Sequence, residues 1–358
     1  MDSTWLRQHE WLTGVLLATG LCAVVMLGSR QVGTINVNTA SSRTPRKLLS
    51  ELDEHTPGEV AKVPDLPEGY WTSRSHFNLE KRAIFVKVPV AVAHASEFDS
   101  PGQYRVIDHP AGLPLVLVLG KDRVLRCFHN VCRHRAYPVV STRREGRTPL
   151  LSCGYHGWTY DLKGQLIKAP KFDDVEGFER DNIRLHQVYT WVDSEGIVLV
   201  DLSRNAAVDN DALVSEGRYR NQRVERWQVP GKFNWKMTEF EDAFSPLSLD
   251  AANASSIVER VLGKRLVRLF QTRQVDYSQP SMLSALFVER NGSTRLFISI
   301  SPTEVDRCVV SCTLITPPFT PSTSSKPEDV IGAVKSEIST SVSYLEKTYR
   351  QIAASDNW

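Results

Sequence analysis

Four residues in one short stretch constrain this chain more than anything else in it. They are Cys132 and His134 and, after eighteen intervening residues, Cys153 and His156. Two thiolates and two imidazoles in paired short spacings grip either one zinc or a two-iron cluster, in which one iron takes both cysteines and the other both histidines. Zinc frameworks generally put two cysteines in one pair and two histidines in the other. Here each pair is mixed, so two loops each supply one ligand to each metal of a diamond-shaped cluster. The flanks, Arg135 after the first histidine and Gly157-Trp158-Thr159-Tyr160 after the second, sit where strands are expected to end.

The residues around these pairs read as a compact all-β module. Short apolar segments recur at 104–108, 113–120, 123–130, 149–153, 158–161 and 164–170, with two more across 183–201. Ser100-Pro101-Gly102 and Lys163-Gly164 mark turns between them. Ahead of the strands, Phe77, Leu79, Ala83 and Ile84 suggest a short amphipathic helix. Cys127 reads as a buried strand thiol. His129, although close to the first pair, reads as a structural or supporting residue and not a ligand.

The chain has 358 residues, enough for two domains after ends and linkers. Its net charge of +2 shows no basic stripe of the kind that nucleic acid demands. Six cysteines are too sparse for a disulfide scaffold, which favours a reducing compartment. Trp11 to Gly28 runs eighteen residues without a charge, near the lower limit for a bilayer span, and Arg30, Arg43, Arg46 and Lys47 follow it against a lone Arg7 before it. The expectation is a single-pass membrane anchor over 11–29, after a tail over 1–10, with the large C-terminal part in the cytosol. Residues 30–65, rich in Ser, Thr, Asn and charge, read as a linker.

Asn130-Val131-Cys132-Arg133-His134-Arg135-Ala136 and Cys153-Gly154-Tyr155-His156-Gly157-Trp158-Thr159-Tyr160 resemble the signature of the Rieske-type non-haem iron oxygenases, most closely the choline-monooxygenase type. Ala136 stands where that family usually has glycine. Tyr137 and Tyr155 stand where respiratory Rieske proteins carry two further cysteines. The resemblance covers about 66–202 and implies a Rieske domain there, with Cys132, His134, Cys153 and His156 holding a 2Fe-2S cluster. It also implies an NAD(P)H-dependent reductase or ferredoxin as electron donor, a small-molecule substrate and a homotrimer.

In that family the next domain holds a mononuclear Fe(II) on two histidines and a carboxylate. Residues 203–358 keep an Asn234-Trp235-Lys236 motif that resembles the start of such a domain, but the last histidine of the chain is His186. The mononuclear site is therefore not found. Glu239, Glu241, Asp242 and Asp250 offer only oxygens and read as a solvated acidic helix face. Three explanations follow from the resemblance: a diverged relative that kept electron transfer and lost oxygen chemistry, a donor to a partner that supplies the iron, or a coding segment lost between Phe244 and Ser256. Strand runs flank Asn291-Gly292, a hairpin signal, and 307–316 adds a third strand. Val330, Ile331, Val334, Ile338, Val342, Leu345, Tyr349 and Ile352 recur at helical spacing. The expected fold class is α+β: a membrane helix, an all-β cluster domain over 66–202, and a smaller helix-and-antiparallel-sheet domain over 203–358, a degenerate relative of a catalytic domain.

Overall fold

Runs of β-branched and aliphatic residues bounded by Gly and Pro become strands in the computed structural model, which describes residues 68–172, 175–204, 212–214, 222–238, 275–289, 294–317 and 327–355. All of these lie in one unit, Asp65–Trp358. The expected span at 11–29, the linker at 30–65, the acidic group Glu239, Glu241, Asp242 and Asp250, and the Asn291-Gly292 turn lie outside the described residues. Among the described residues, no helix is long and apolar enough to cross a membrane.

The first half is built on β1 (Val90–His94), β2 (Gln103–Asp108), β3 (Pro114–Leu119), β4 (Leu125–His129), β5 (Glu145–Arg147), β9 (Gln187–Val192) and β10 (Ile197–Asp201), in the order β1-β10-β9-β4-β3-β2-β5. A smaller sheet of β6 (Leu151–Ser152), β7 (Thr159–Tyr160) and β8 (Leu166–Lys168) lies beside it. Leu115, Leu117 and Leu119 of β3 face one apolar cluster, with Cys127 and Val198. Val116 and Val118 face a second, with Leu151, Trp158, Tyr160 and Leu166. The continuous apolar run of β3 is thus explained: both of its faces are covered.

The second half is a five-stranded antiparallel sheet. It comprises β11 (Arg223–Gly231), β12 (Val275–Ser278), β13 (Ser284–Glu289), β14 (Arg295–Glu304) and β15 (Arg307–Thr316), in the order β11-β15-β14-β13-β12. The period-2 pattern of β14 sends Leu296, Ile298 and Ile300 into a core shared with the C-terminal helix, Pro327–Ser355. Phe297 points the other way, into a cluster with Ala91, Ile197 and Leu199 of the first sheet. Across the helix, Val334, Ile338, Val342, Leu345 and Tyr349 are buried on that core, as the spacing predicts. Its many hydroxyls are accommodated by back-bonding: Ser339, Thr340, Ser341, Ser343 and Thr348 each donate to the carbonyl four residues earlier at 2.9–3.0 Å.

The helix expected near residue 77 exists but presents a different face. Ser73 caps α1 (Arg74–Glu80), accepting from the His76 N–H at 3.3 Å, and a single π turn, Lys81–Phe85, continues it. Phe77 and Phe85 are buried, whereas Leu79 is 60% exposed and Ala83 is exposed. Leu79 stands two places after Phe77 in the same α-helix, about 200° around its axis, and so faces away from the core.

This helix is fastened to the second half by the Asn234-Trp235-Lys236 motif. Asn234 donates to the Trp71 carbonyl at 2.9 Å. Trp235 Nε1 donates to Glu80 at 2.8 Å, and Lys236 Nζ meets the same carboxylate at 2.6 Å while lying 4.1 Å from the Tyr70 ring centroid. A second charged tie is Glu97, whose buried carboxylate accepts from the His94 N–H at 2.8 Å and from the Thr313 hydroxyl of β15 at 3.0 Å, and pairs with Arg105 and Arg226.

Candidate metal centre

The two cysteine loops are copies of one another in backbone geometry. In the first, the Cys132 N–H donates to the Tyr137 carbonyl at 2.8 Å, and the Ala136 N–H donates back to the Cys132 carbonyl at 3.0 Å. In the second, the Cys153 N–H donates to Trp158 at 2.8 Å and the Gly157 N–H to Cys153 at 3.0 Å. Each loop closes through a residue with positive φ four places after its cysteine: Ala136 at 55° and Gly157 at 73°. That explains the usual glycine where this chain has Ala136, because a Cβ disfavours this backbone region. Asn130 locks the root of the first loop by exchanging two 2.8 Å bonds with the Val140 backbone.

These loops bring all four expected ligands together, in pairs. The Cys153 thiol lies against Cys132, and the His134 and His156 ring centroids are 4.7 Å apart. Among the described residues, no group of three or more His, Cys, Asp or Glu is placed around a single ion. Two cysteines facing each other beside two facing histidines match a two-iron diamond, which takes two protein ligands per iron.

The electrostatics of the pocket test that fit. Burial pushes the Cys153 thiol above its ordinary pKa, the backbone N–H groups of Tyr155 and His156 act against this, and the neighbouring Cys132 raises it again. Two thiolates held together in a buried site need positive charge between them, and a metal cluster supplies it. The Tyr160 hydroxyl stands 3.3 Å from Cys132 Sγ and accepts from the Arg133 N–H at 3.0 Å, which leaves its own proton for the sulfur. Burial, then the positive charges of His156 and Arg135, lower the pKa of His134 and favour the neutral imidazole that a metal requires. The Trp158 ring stacks on His134 at 5.0 Å and 9°, and Phe172 meets it edge-on at 5.3 Å, so both rings hold its orientation. The residues present fit a 2Fe-2S cluster.

His129 is not brought to the pocket; its ring faces His186 at 6.3 Å. Cys127 is fully buried, and burial raises its pKa, as expected of an inert core thiol. In the sequence Trp158 and Tyr160 stand out only as parts of a motif, and Phe172 does not stand out. An aromatic residue following a proline-containing turn after β8 was the only signal for it. No mononuclear iron site forms among the described residues, and residues 203–358 contain no histidine. The mononuclear iron that the resemblance implies therefore has no two-histidine site in this sequence after His186. A cavity of about 490 Å³ lies between the two large sheets, lined in part by Glu97, Arg105, Arg226, Ser299 and Ser311 and by neither cysteine loop.

Comparison with known proteins agrees with this geometry. Residues 88–179 match the Rieske [2Fe-2S] domain. The carnitine monooxygenase oxygenase subunit of Acinetobacter pittii (strain PHEA-2) is 34% identical over 173 residues, 47% of this chain and 46% of that protein. The chloroplastic choline monooxygenase of Arabidopsis thaliana is 27% identical over 172 residues, 47% and 40% of the two chains. The alignments thus span about half the length of these relatives. Among solved structures, the quaternary ammonium Rieske monooxygenase CntA with L-carnitine superposes with a TM-score of 0.59 at 20% identity, covering 82% of this chain and 89% of that one. Naphthalene 1,2-dioxygenase from Rhodococcus sp. gives 0.55 at 15% identity, covering 82% of each. At these identities the likeness is one of fold.

Proposed function

We propose that this chain, a relative of the Rieske oxygenases through its cluster domain and fold, works as a Rieske-type iron–sulfur oxidoreductase. Electrons from an NAD(P)H-dependent reductase or ferredoxin would pass through it toward oxidation of a small or lipophilic organic molecule. The observation that carries this reading is the pairing of Cys132 with Cys153 and of His134 with His156. Bound there, a 2Fe-2S cluster supplies reversible one-electron transfer. The chain's own residues prepare the site. Cys132 and Cys153 present sulfur in a buried pocket, Tyr160 and the loop N–H groups direct hydrogen bonds at those sulfurs, and Trp158 and Phe172 fix His134. Leu151, Trp158 and Tyr160, all buried, exclude water from the sulfur side.

The substrate is a proposal at the level of class only. The relatives named carnitine and choline monooxygenase lend a small quaternary amine as the first compound to try. A second reading, an electron-transfer protein without its own mononuclear iron, is favoured by the absence of histidine after His186. Iron analysis of the purified, reconstituted protein with EPR of its reduced form tests both. Two irons per chain with a mixed nitrogen–sulfur signal support electron transfer alone, and a third iron supports the oxygenase. A colourless, zinc-loaded protein overturns both.

Attachment to a membrane through residues 11–29, with the described domains on the cytosolic side, belongs to the same proposal. Asn253-Ala-Ser and Asn291-Gly-Ser are glycosylation sequons, and glycans found on them would contradict that placement.

A further inference from the structure

Where two layers of a protein meet, the facing surfaces are ordinarily apolar. The second sheet keeps to this where Phe297 of β14 packs with Ala91, Ile197 and Leu199 of the first. Beside that contact the same face changes character. Gln228, Ser311, Ser299 and Ser284 lie opposite one another in register, a polar row across β11, β15, β14 and β13. The other face of β14 carries Leu296, Ile298 and Ile300, so hydroxyls are not general to the strand. The cavity of about 490 Å³ between the sheets is lined by Gln228, Ser299, Ser301 and Ser311 from this polar face. Such side chains leave the space open and offer hydrogen bonds to whatever enters it. The Ser299 hydroxyl, in a residue only 7% exposed, bonds to no described residue.

The charged end of the cavity has a surplus of buried positive charge. The Glu97 side chain is 2% exposed, and Arg105 and Arg226 both close on its Oε2. Its Oε1 is taken by the His94 N–H and the Thr313 hydroxyl. The second carboxylate on Arg226 is Glu145, at 2.6 Å but 58% exposed. An ion pair with so exposed a partner is weak, and another carboxylate can take its place. At the rim Arg144 is held in the same way, by an equally exposed Asp108. Two guanidiniums on one buried carboxylate disfavour a cationic occupant and favour an anion.

We propose that this cavity binds a small hydroxylated carboxylate, whose carboxylate takes Arg226 over from Glu145 and whose hydroxyls are held by Ser299, Ser311 and Gln228. The proposal does not rest on the cluster, because neither cysteine loop lines the cavity. An occupant touches both sheets and stabilises the folded chain by binding it alone.

The test is isothermal titration calorimetry of the full chain with its cluster reconstituted. Three probes are compared: D-gluconate, sorbitol, which has the hydroxyls without the carboxylate, and hexanoate, which has the carboxylate without the hydroxyls. Gluconate should bind with a Kd below about 1 mM, and each of the other two at least about tenfold more weakly. Glu145→Gln removes the competing carboxylate and should tighten gluconate binding severalfold, whereas a variant that merely loosened the fold would weaken it. Ser299→Val should weaken gluconate severalfold and leave hexanoate unchanged. No binding of gluconate at about 10 mM, sorbitol bound as tightly as gluconate, or no tightening in Glu145→Gln would each overturn the proposal. Gluconate affinity unchanged in Ser299→Val would place the anion elsewhere on the surface and overturn it as well.

Discussion

At the scale of single residues, the two loops form an internal comparison. Gly157 and Ala136 occupy equivalent positions with positive φ, and a Cβ at Gly157 would meet only Pro170 Cγ at 3.5 Å, an ordinary contact. Gly157→Ala should therefore cost about 1 kcal/mol through backbone strain alone, and Ala136→Gly should not be destabilising. Urea unfolding of both variants would check this, and a loss well above that for Gly157→Ala would mean that the loop has no room for a methyl group. Tyr160→Phe removes the hydroxyl beside Cys132 Sγ. Hydrogen bonds to sulfur stabilise the more negative, reduced cluster, so its midpoint potential should drop by roughly 40 mV for a bond of about 1 kcal/mol. An EPR-monitored redox titration reads this directly; an unchanged or raised potential would remove Tyr160 from that role.

Among elements, the tie between α1 and the second half carries the clearest energetic expectation. Lys236 and Glu80 are largely buried, at 7% and 14% side-chain exposure, and Glu80 also accepts from Trp235. Removing one partner of such a pair leaves a charge in a poorly solvated place, which costs about 3 kcal/mol or more. Lys236→Met should lower stability by that amount, and adding Glu80→Gln should recover much of it, because the remaining group is then neutral. Chemical denaturation of the single and double variants measures both; a Lys236→Met loss under about 1 kcal/mol would contradict the tie. In this fold the Asn234-Trp235-Lys236 motif fastens the helix that precedes the first-half strands to the sheet of the second half.

For the whole molecule, two buried histidines set an acid limit. Burial is the main cause that lowers both His94 and His109 to a pKa of about 4. For His109 the nearby His129 charge adds to it, and Nε2 has no hydrogen-bond partner among the described residues. Both pKa values lie below the unfolded value of about 6.5, so between these limits the unfolded chain binds more protons. Their contribution to stability is present above about pH 6.5 and is lost as pH falls toward 4, by up to about 3 kcal/mol per histidine. Urea midpoints from pH 7 to pH 4.5 should decline, and His94→Gln should flatten the decline. An equally steep decline in that variant would exclude His94 as a contributor.

Much of this was legible before folding was considered. The four candidate ligands stand out by their short-range spacing and flanking motif. Most cluster-domain strands followed from apolar runs between turn residues, and the C-terminal helix from its 3.6-residue period, because each of these patterns is set by neighbours in the chain. What the sequence left open depends on residues far apart in it. β5, with all three residues exposed, has no apolar alternation and is a strand only because β2 offers it a free edge. Leu79 lies about 200° around α1 from Phe77, and only the packing of the helix decides which of the two is buried. The aromatic clamp on His134 and the exposure of the histidine edge also arise only when two loops from different sheets meet. Sequence alone determined that this chain can hold a two-iron centre; tertiary structure decided which side of that centre meets water, because that side forms only where the loops meet.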